Sequence, residues 1–171
     1  MTASIATPVF SDGPLSLFPK PLREARRAWL AIPLAWLFCI IPSLALAYLV
    51  QSFAPRLDLP EFPIKGHVGF FALAVFAPVI ETFILAALIT LFRLVFSPAV
   101  SVFLSAFGWG IAHSAQASAW GLVVWWPFLI MSMLYVVWRE RGFWIAIMVP
   151  AAVHMLQNAA PAYQVAYQGL S

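Results

Sequence analysis

The sequence predicts an all-α, polytopic transmembrane bundle of about five helices. Three observations carry that expectation. Of 171 residues, 64% are hydrophobic and only 9% charged, and the mean hydropathy is +0.95; a soluble domain of this length cannot hide so much apolar surface. The apolar residues fall into five runs, each near the roughly 20 residues needed to cross a bilayer. The runs are solid, as in Leu122 to Met131, whereas a transmembrane barrel strand alternates. A helix is the other structure that satisfies its own backbone in lipid.

Residues 1–27 differ from the remainder: Pro, Ser, Thr and Gly are scattered through 1–19, followed by Lys20, Arg23, Arg26 and Arg27. They read as a mobile tail with a basic juxtamembrane segment. The apolar run behind them is too long for a cleaved signal core, so the first helix is expected to stay as an anchor. The transmembrane domain then covers 28–171, with runs at 28–50, 67–92, 98–117, 119–138 and 142–163 separated by charged and turn residues. Alternate connections divide the positive residues unequally. Lys20, Arg23, Arg26, Arg27, Arg93, Arg139 and Arg141 fall on one side, and Arg56 and Lys65 on the other. That bias predicts a multi-pass cell-membrane protein with its N-terminus cytoplasmic and its C-terminus outside. Trp29, Trp120, Trp138 and Trp144 near the run ends read as interfacial anchors. The basic pI of about 9.4 is thereby accounted for, and no nucleic-acid partner is expected. The single cysteine, Cys39, can build neither an internal disulfide nor a cysteine metal cluster.

Ionisable and amide side chains inside apolar helices are costly and usually functional. Here they are Glu81, His113, Gln116, His154, Gln157 and Asn158. Counting about 1.5 Å per residue from each helix's cytoplasmic end, Glu81, His113, His154 and Asn158 lie roughly 18 to 24 Å deep. Four polar residues from three helices thus share one layer, slightly outside the middle of an approximately 30 Å core. His154 and Asn158, four apart, stand on one face. Pro78 and Pro150 fall just before the layer and should free the carbonyls of Ala74 and Ala146, which suits a wet cavity. Gly108 and Gly110 thin the third run beside His113, as helix packing favours. Gln116 and Gln157 read more readily as interhelical struts than as catalysts.

The chain resembles the CPBP intramembrane proteases, a family that includes type II CAAX prenyl endopeptidases and bacteriocin-processing and immunity proteins. That family carries Glu-Glu-x-x-x-Arg, Phe-x-x-x-His and His-x-x-x-Asn on successive helices. This sequence reads Glu81-Thr82-Phe-Ile-Leu-Ala86, Trp109-Gly-Ile-Ala-His113 and His154-Met-Leu-Gln-Asn158. The third motif is intact, the second has one aromatic residue for another, and the first keeps only its leading Glu. The likeness spans a protease-like core at 67–163, which makes the chain a short, divergent member. It implies an intramembrane endopeptidase in which Glu81, assisted by His113, activates water, while His154 and Asn158 bind the oxyanion. The implied substrate is a membrane-embedded or lipid-anchored protein or peptide, with C-terminal sorting signals as one class, and membrane lipid is the surrounding partner. No cofactor is expected. Two alternatives use the same residues: zinc held by Glu81, His113 and His154, and a non-catalytic binding or immunity-type protein, to which Thr82 and Ala86 in motif one lend weight.

Overall fold

A computed structural model describes residues 9–168. Among them all regular secondary structure is helical, without strands. A 3₁₀ turn (Pro14–Leu17) and a short α1 (Lys20–Arg23) precede α2 (Ala28–Phe53). After an irregular loop at 54–65 come α3 (Gly66–Phe71), a π-helical turn (Ala72–Phe76) and α4 (Ala77–Phe92), which run on as one rod. Then follow α5 (Pro98–Ser114), α6 (Trp120–Trp138), a 3₁₀ turn (Arg139–Arg141) and α7 (Phe143–Tyr167). Four helical stretches are long and apolar enough to cross a membrane: Ala28–Phe53, Gly66–Phe92, Trp120–Arg141 and Phe143–Tyr167. The fifth expected span, α5, has 17 residues. That is about 25 Å of helix, at the short end of the spanning range.

The burial pattern is that of a bundle built for lipid. Leu37, Ile41 and Leu44 on α2, Phe76, Ile80 and Ile84 on the α3–α4 rod, Leu104, Phe107 and Ile111 on α5 and Met148 on α7 all face outward. Water would not tolerate such a continuous apolar coat, whereas hydrocarbon does. The centre is α6, whose residues from Pro127 to Trp138 are all buried as it packs against α2, α5 and α7.

Small residues set the closest approaches. On α2 every fourth residue, Ala31, Ala35, Cys39 and Ser43, is buried, a small-residue stripe of the kind that lets membrane helices meet. Pro42 removes the amide that would serve the Phe38 carbonyl, and Trp126 Nε1 from α6 donates to that carbonyl instead, at 2.7 Å. Gly121 on α6 lies so close to α5 that a Cβ would overlap the Gly110 carbonyl and the Ser114 hydroxyl. The expectation from sequence named Gly108 and Gly110. Gly110 is indeed tight, with Trp125 Cβ 3.0 Å from a Cβ position, but Gly108 faces open space, and the glycine that meets Gly110 is Gly121.

The described part of the N-terminal segment differs from a mobile tail; residues 1–8 lie outside the described residues. Phe10, Leu15 and Leu22 are buried, and Phe18 rests on Phe38 and Trp126 with ring centroids 5.8 and 6.2 Å away. Phe38 is ten residues into α2, so the segment folds back along the bundle instead of trailing from it. Arg23 fixes the turn, donating from Nε to the Phe18 carbonyl (2.6 Å) and from Nη1 to the Phe10 carbonyl (3.0 Å). Four well-spaced apolar side chains among Pro and Ser residues outweigh the turn-rich composition that suggested disorder. The tryptophans also divide. Trp29 and Trp144 are exposed at helix ends as anchors would be, whereas Trp138 is buried and Trp120 packs inward.

Candidate functional site

A cavity of about 440 Å³ opens inside the bundle, and Glu81, His113, His154, Gln157 and Asn158 all line it. It receives walls from α2 (Ser43), the rod (Leu73, Ala77), α6 (Pro127, Phe128, Met131) and α7 (Pro161, Ala162), while Leu59, Pro60 and Phe62 of the 54–65 loop cover one end. That loop is tied across to the α5–α6 connection: the Asp58 amide donates to Ser118 Oγ (2.9 Å) and the Ala119 amide to the Asp58 carbonyl (3.0 Å). Phe62 meets the Trp120 ring edge-on at 5.4 Å. Of the polar residues singled out from sequence, Gln116 alone is elsewhere; it is exposed and bonds back to the Ala112 carbonyl.

Glu81 projects from α4 toward α7, and its Oε2 lies 3.5 Å from His154 Nε2. The carboxylate is a quarter exposed and the histidine nearly fully buried, so Glu81 is the more accessible member of the pair, and both line the cavity. His154 Nδ1 has no hydrogen-bond partner. On α5, His113 Nδ1 lies 2.8 Å from the Trp109 carbonyl of its own helix. A carbonyl can only accept, so Nδ1 carries the proton and Nε2 is left as an acceptor. Aromatic rings hold both histidines in place. Phe128 of α6 lies between them with centroids 5.3 Å from each, Trp109 stacks flat on Phe128 at 4.4 Å, and Trp120 meets His113 edge-on at 4.5 Å. Sequence reasoning missed Phe128 and read Trp120 as an interfacial anchor. In an apolar run that also carries Trp120, Trp125 and Trp126, nothing marks the one ring that falls between two histidines.

Asn158 has a structural engagement that its spacing from His154 did not disclose. Its Nδ2 donates to the Leu73 carbonyl across the helix interface, at 3.1 Å. That carbonyl is free for a local reason. In the π-helical turn the Ala77 amide bonds to the Ala72 carbonyl, and the next residue, Pro78, has no amide to offer. The carbonyl caught by a side chain is therefore Leu73, where the α-helical count had pointed to Ala74. One Nδ2 hydrogen of Asn158 stays available to the cavity.

The motif-one departures are satisfied locally. Thr82 is buried and its hydroxyl donates to the Pro78 carbonyl at 2.7 Å. Ala86 is buried too, and its carbonyl accepts from Thr90, whose hydroxyl also meets Tyr135. Among the described residues no group of three or more His, Cys, Asp and Glu side chains is arranged to hold a metal ion. Glu81, His113 and His154 share a cavity without forming the compact ligand set that the zinc alternative requires. Comparisons of the chain with protein-family models, curated proteins and solved structures return no significant match.

Proposed function

We propose that this protein is an intramembrane endopeptidase resembling the CPBP family, which hydrolyses a peptide bond of a membrane-embedded or lipid-anchored substrate with Glu81 as the base. The observation that supports it most is the pairing of a cavity-facing carboxylate with His154 at 3.5 Å, with His113 lining the same cavity, within a lipid-facing bundle. Intramembrane carboxylates and histidines brought together in a cavity mark functional sites.

The chemistry needs no enzyme nucleophile. A water in the cavity attacks the substrate carbonyl carbon while its proton passes to Glu81. The His113 acceptor nitrogen helps to orient that water. The tetrahedral oxyanion takes hydrogen bonds from His154 and from the remaining Asn158 Nδ2 hydrogen, each donor contributing on the order of 3 kcal/mol in a low-dielectric site. When the C–N bond breaks, Glu81 returns the proton to the departing nitrogen, which leaves an acid and an amine. In this reading the N-terminus is cytoplasmic, and the cavity lies toward the outer leaflet of the cell membrane.

The test is mass spectrometry of protein termini in host membranes carrying the unmodified protein or Glu81→Gln at equal abundance. Termini lost only in the variant identify a glutamate-dependent protease and its substrate; identical termini reject the proposal. A second reading, a binding protein that does not cleave, is favoured by Thr82, which fills the second-Glu position of motif one with a side chain bonded to its own helix. Under that reading Glu81→Gln leaves termini unchanged but still disturbs a bound partner.

A further inference from the structure

A groove of about 510 Å³ runs along the outside of α4, and none of the four catalytic residues lines it. Phe83, Ala87, Thr90, Leu91 and Leu94 form its length, a single stripe of helix face at spacings of three and four. Ala86 and Ala87 supply methyl groups where a longer side chain would fill the hollow. Thr90 is the one polar residue in the lining, and its hydroxyl is already engaged, with the Ala86 carbonyl at 2.7 Å and the Tyr135 hydroxyl at 3.0 Å. The groove therefore offers an occupant apolar contact alone.

Its two ends differ. From Phe83 to Leu94 the stripe covers roughly 16 Å of helix, about half of an approximately 30 Å hydrocarbon core, so it is one leaflet deep. Phe143 of α7 closes the Leu94 end. Beside it stands exposed Trp144, edge-on at 5.2 Å, and an exposed tryptophan at a helix end marks the headgroup level. Two arginines meet there. The Arg139 guanidinium lies 5.7 Å from the Phe143 ring centroid. Arg93 precedes Leu94 in the turn that ends α4, with Nη1 donating to the Phe96 carbonyl at 2.7 Å. Both are exposed, and among the described residues neither takes part in an ion pair. Arg141 adds a third positive charge to this end against the single carboxylate of Glu140.

An apolar channel one leaflet long, with unpaired guanidinium groups where headgroups lie, is complementary in shape and charge to a phospholipid of net negative charge. We propose that an anionic phospholipid binds here, with one acyl chain along the α4 stripe and its phosphate against Arg139 and Arg93. A zwitterionic lipid would bring a cation of its own to the same arginines. A second copy of this chain packed groove to groove would set like charges against each other. The assignment is independent of the endopeptidase reading.

Native mass spectrometry of the full-length protein, released from micelles supplied with dioleoyl phosphatidylglycerol or dioleoyl phosphatidylcholine, tests it. The unmodified protein is expected to retain one phosphatidylglycerol with a preference on the order of tenfold over phosphatidylcholine. Arg93→Gln combined with Arg139→Gln should abolish that preference. Arg26→Gln combined with Arg27→Gln, an equal loss of charge at another exposed site, should preserve it. Ala87→Phe, which fills the groove from an exposed position, should weaken retention of both lipids several-fold. Equal retention of the two lipids by the unmodified protein overturns the proposal, as does the same loss of preference in the Arg26 and Arg27 pair. Unchanged retention in Ala87→Phe also overturns it, because the charges would then act without the groove. Dimers that disappear in Ala87→Phe, with no lipid preference in the unmodified protein, would give the groove to a second copy instead.

Discussion

Asn158 and Thr82 illustrate how single residues around Pro78 divide structural from chemical duty. Asn158 caps the carbonyl of Leu73 that the π-helical turn and Pro78 leave over. Asn158→Leu strands that carbonyl and should cost about 1–3 kcal/mol of stability, measured by denaturant unfolding in micelles, in addition to any loss of activity. An activity loss without destabilisation would mean that the cap contributes nothing to the fold. Thr82 uses its hydroxyl on the Pro78 carbonyl, so Thr82→Val should cost only about 1 kcal/mol. Thr82→Glu, which rebuilds the motif-one dipeptide, should be far worse, because position 86 offers buried Ala86 where the resemblance has an Arg. An unpaired buried charge destabilises by roughly 3–5 kcal/mol. A gain of activity in Thr82→Glu would show that the site is a depleted version of the usual one, not a self-consistent variant.

At the level of elements, the helix extents were legible because charges and turn residues interrupt the apolar runs. The observed α2, α5, α6 and α7 begin within two residues of the runs read from sequence. What lay inside the rod was not legible. A π-helical turn at Ala72–Phe76 has the same uniformly apolar composition as the α-helix around it, and only its hydrogen-bond register differs. Nor could spacing say which glycines meet a neighbour. Glycine at 121 is required by its contact with the Gly110 carbonyl and Ser114, whereas a side chain at 108 meets nothing within 4 Å. Gly121→Ala should therefore push α5 and α6 apart and lower the yield of folded protein sharply, since this interface also places His113 against Trp120. Gly108→Ala should be neutral or slightly stabilising, because alanine is the better helix former by about 1 kcal/mol. Thermal unfolding of both variants checks the pair, and equal effects would reject the packing assignment.

On the scale of the whole molecule, the depth argument placed Glu81, His113, His154 and Asn158 in one layer, and the folded chain brings all four to one cavity. Rise per residue is a property of any helix, so that much could be read without knowing how the helices pack. The aromatic clamp, the loop over the cavity end and the docked N-terminal segment depend on contacts between distant parts of the chain and left no periodic trace. The same architecture makes the proposed orientation testable. The 54–65 loop and the α5–α6 connection share one end of the bundle, tied by Asp58 to Ser118 and Ala119. The Arg139–Arg141 turn joins the far ends of α6 and α7. Seven positive residues on one side of the sequence pattern against two on the other lead to the expectation that this turn is cytoplasmic. Cys39 is the sole cysteine and is buried in the small-residue stripe of α2, where alanine fits the same spacing, so Cys39→Ala provides a background free of thiols. Exposed Glu61 and Glu140 then accept single cysteines at opposite ends. A membrane-impermeant maleimide should label Glu61→Cys in intact cells and Glu140→Cys only after permeabilisation. The reverse pattern would invert the orientation and put the cavity, with its loop, on the cytoplasmic side, where a substrate would have to reach Glu81 from within the cell.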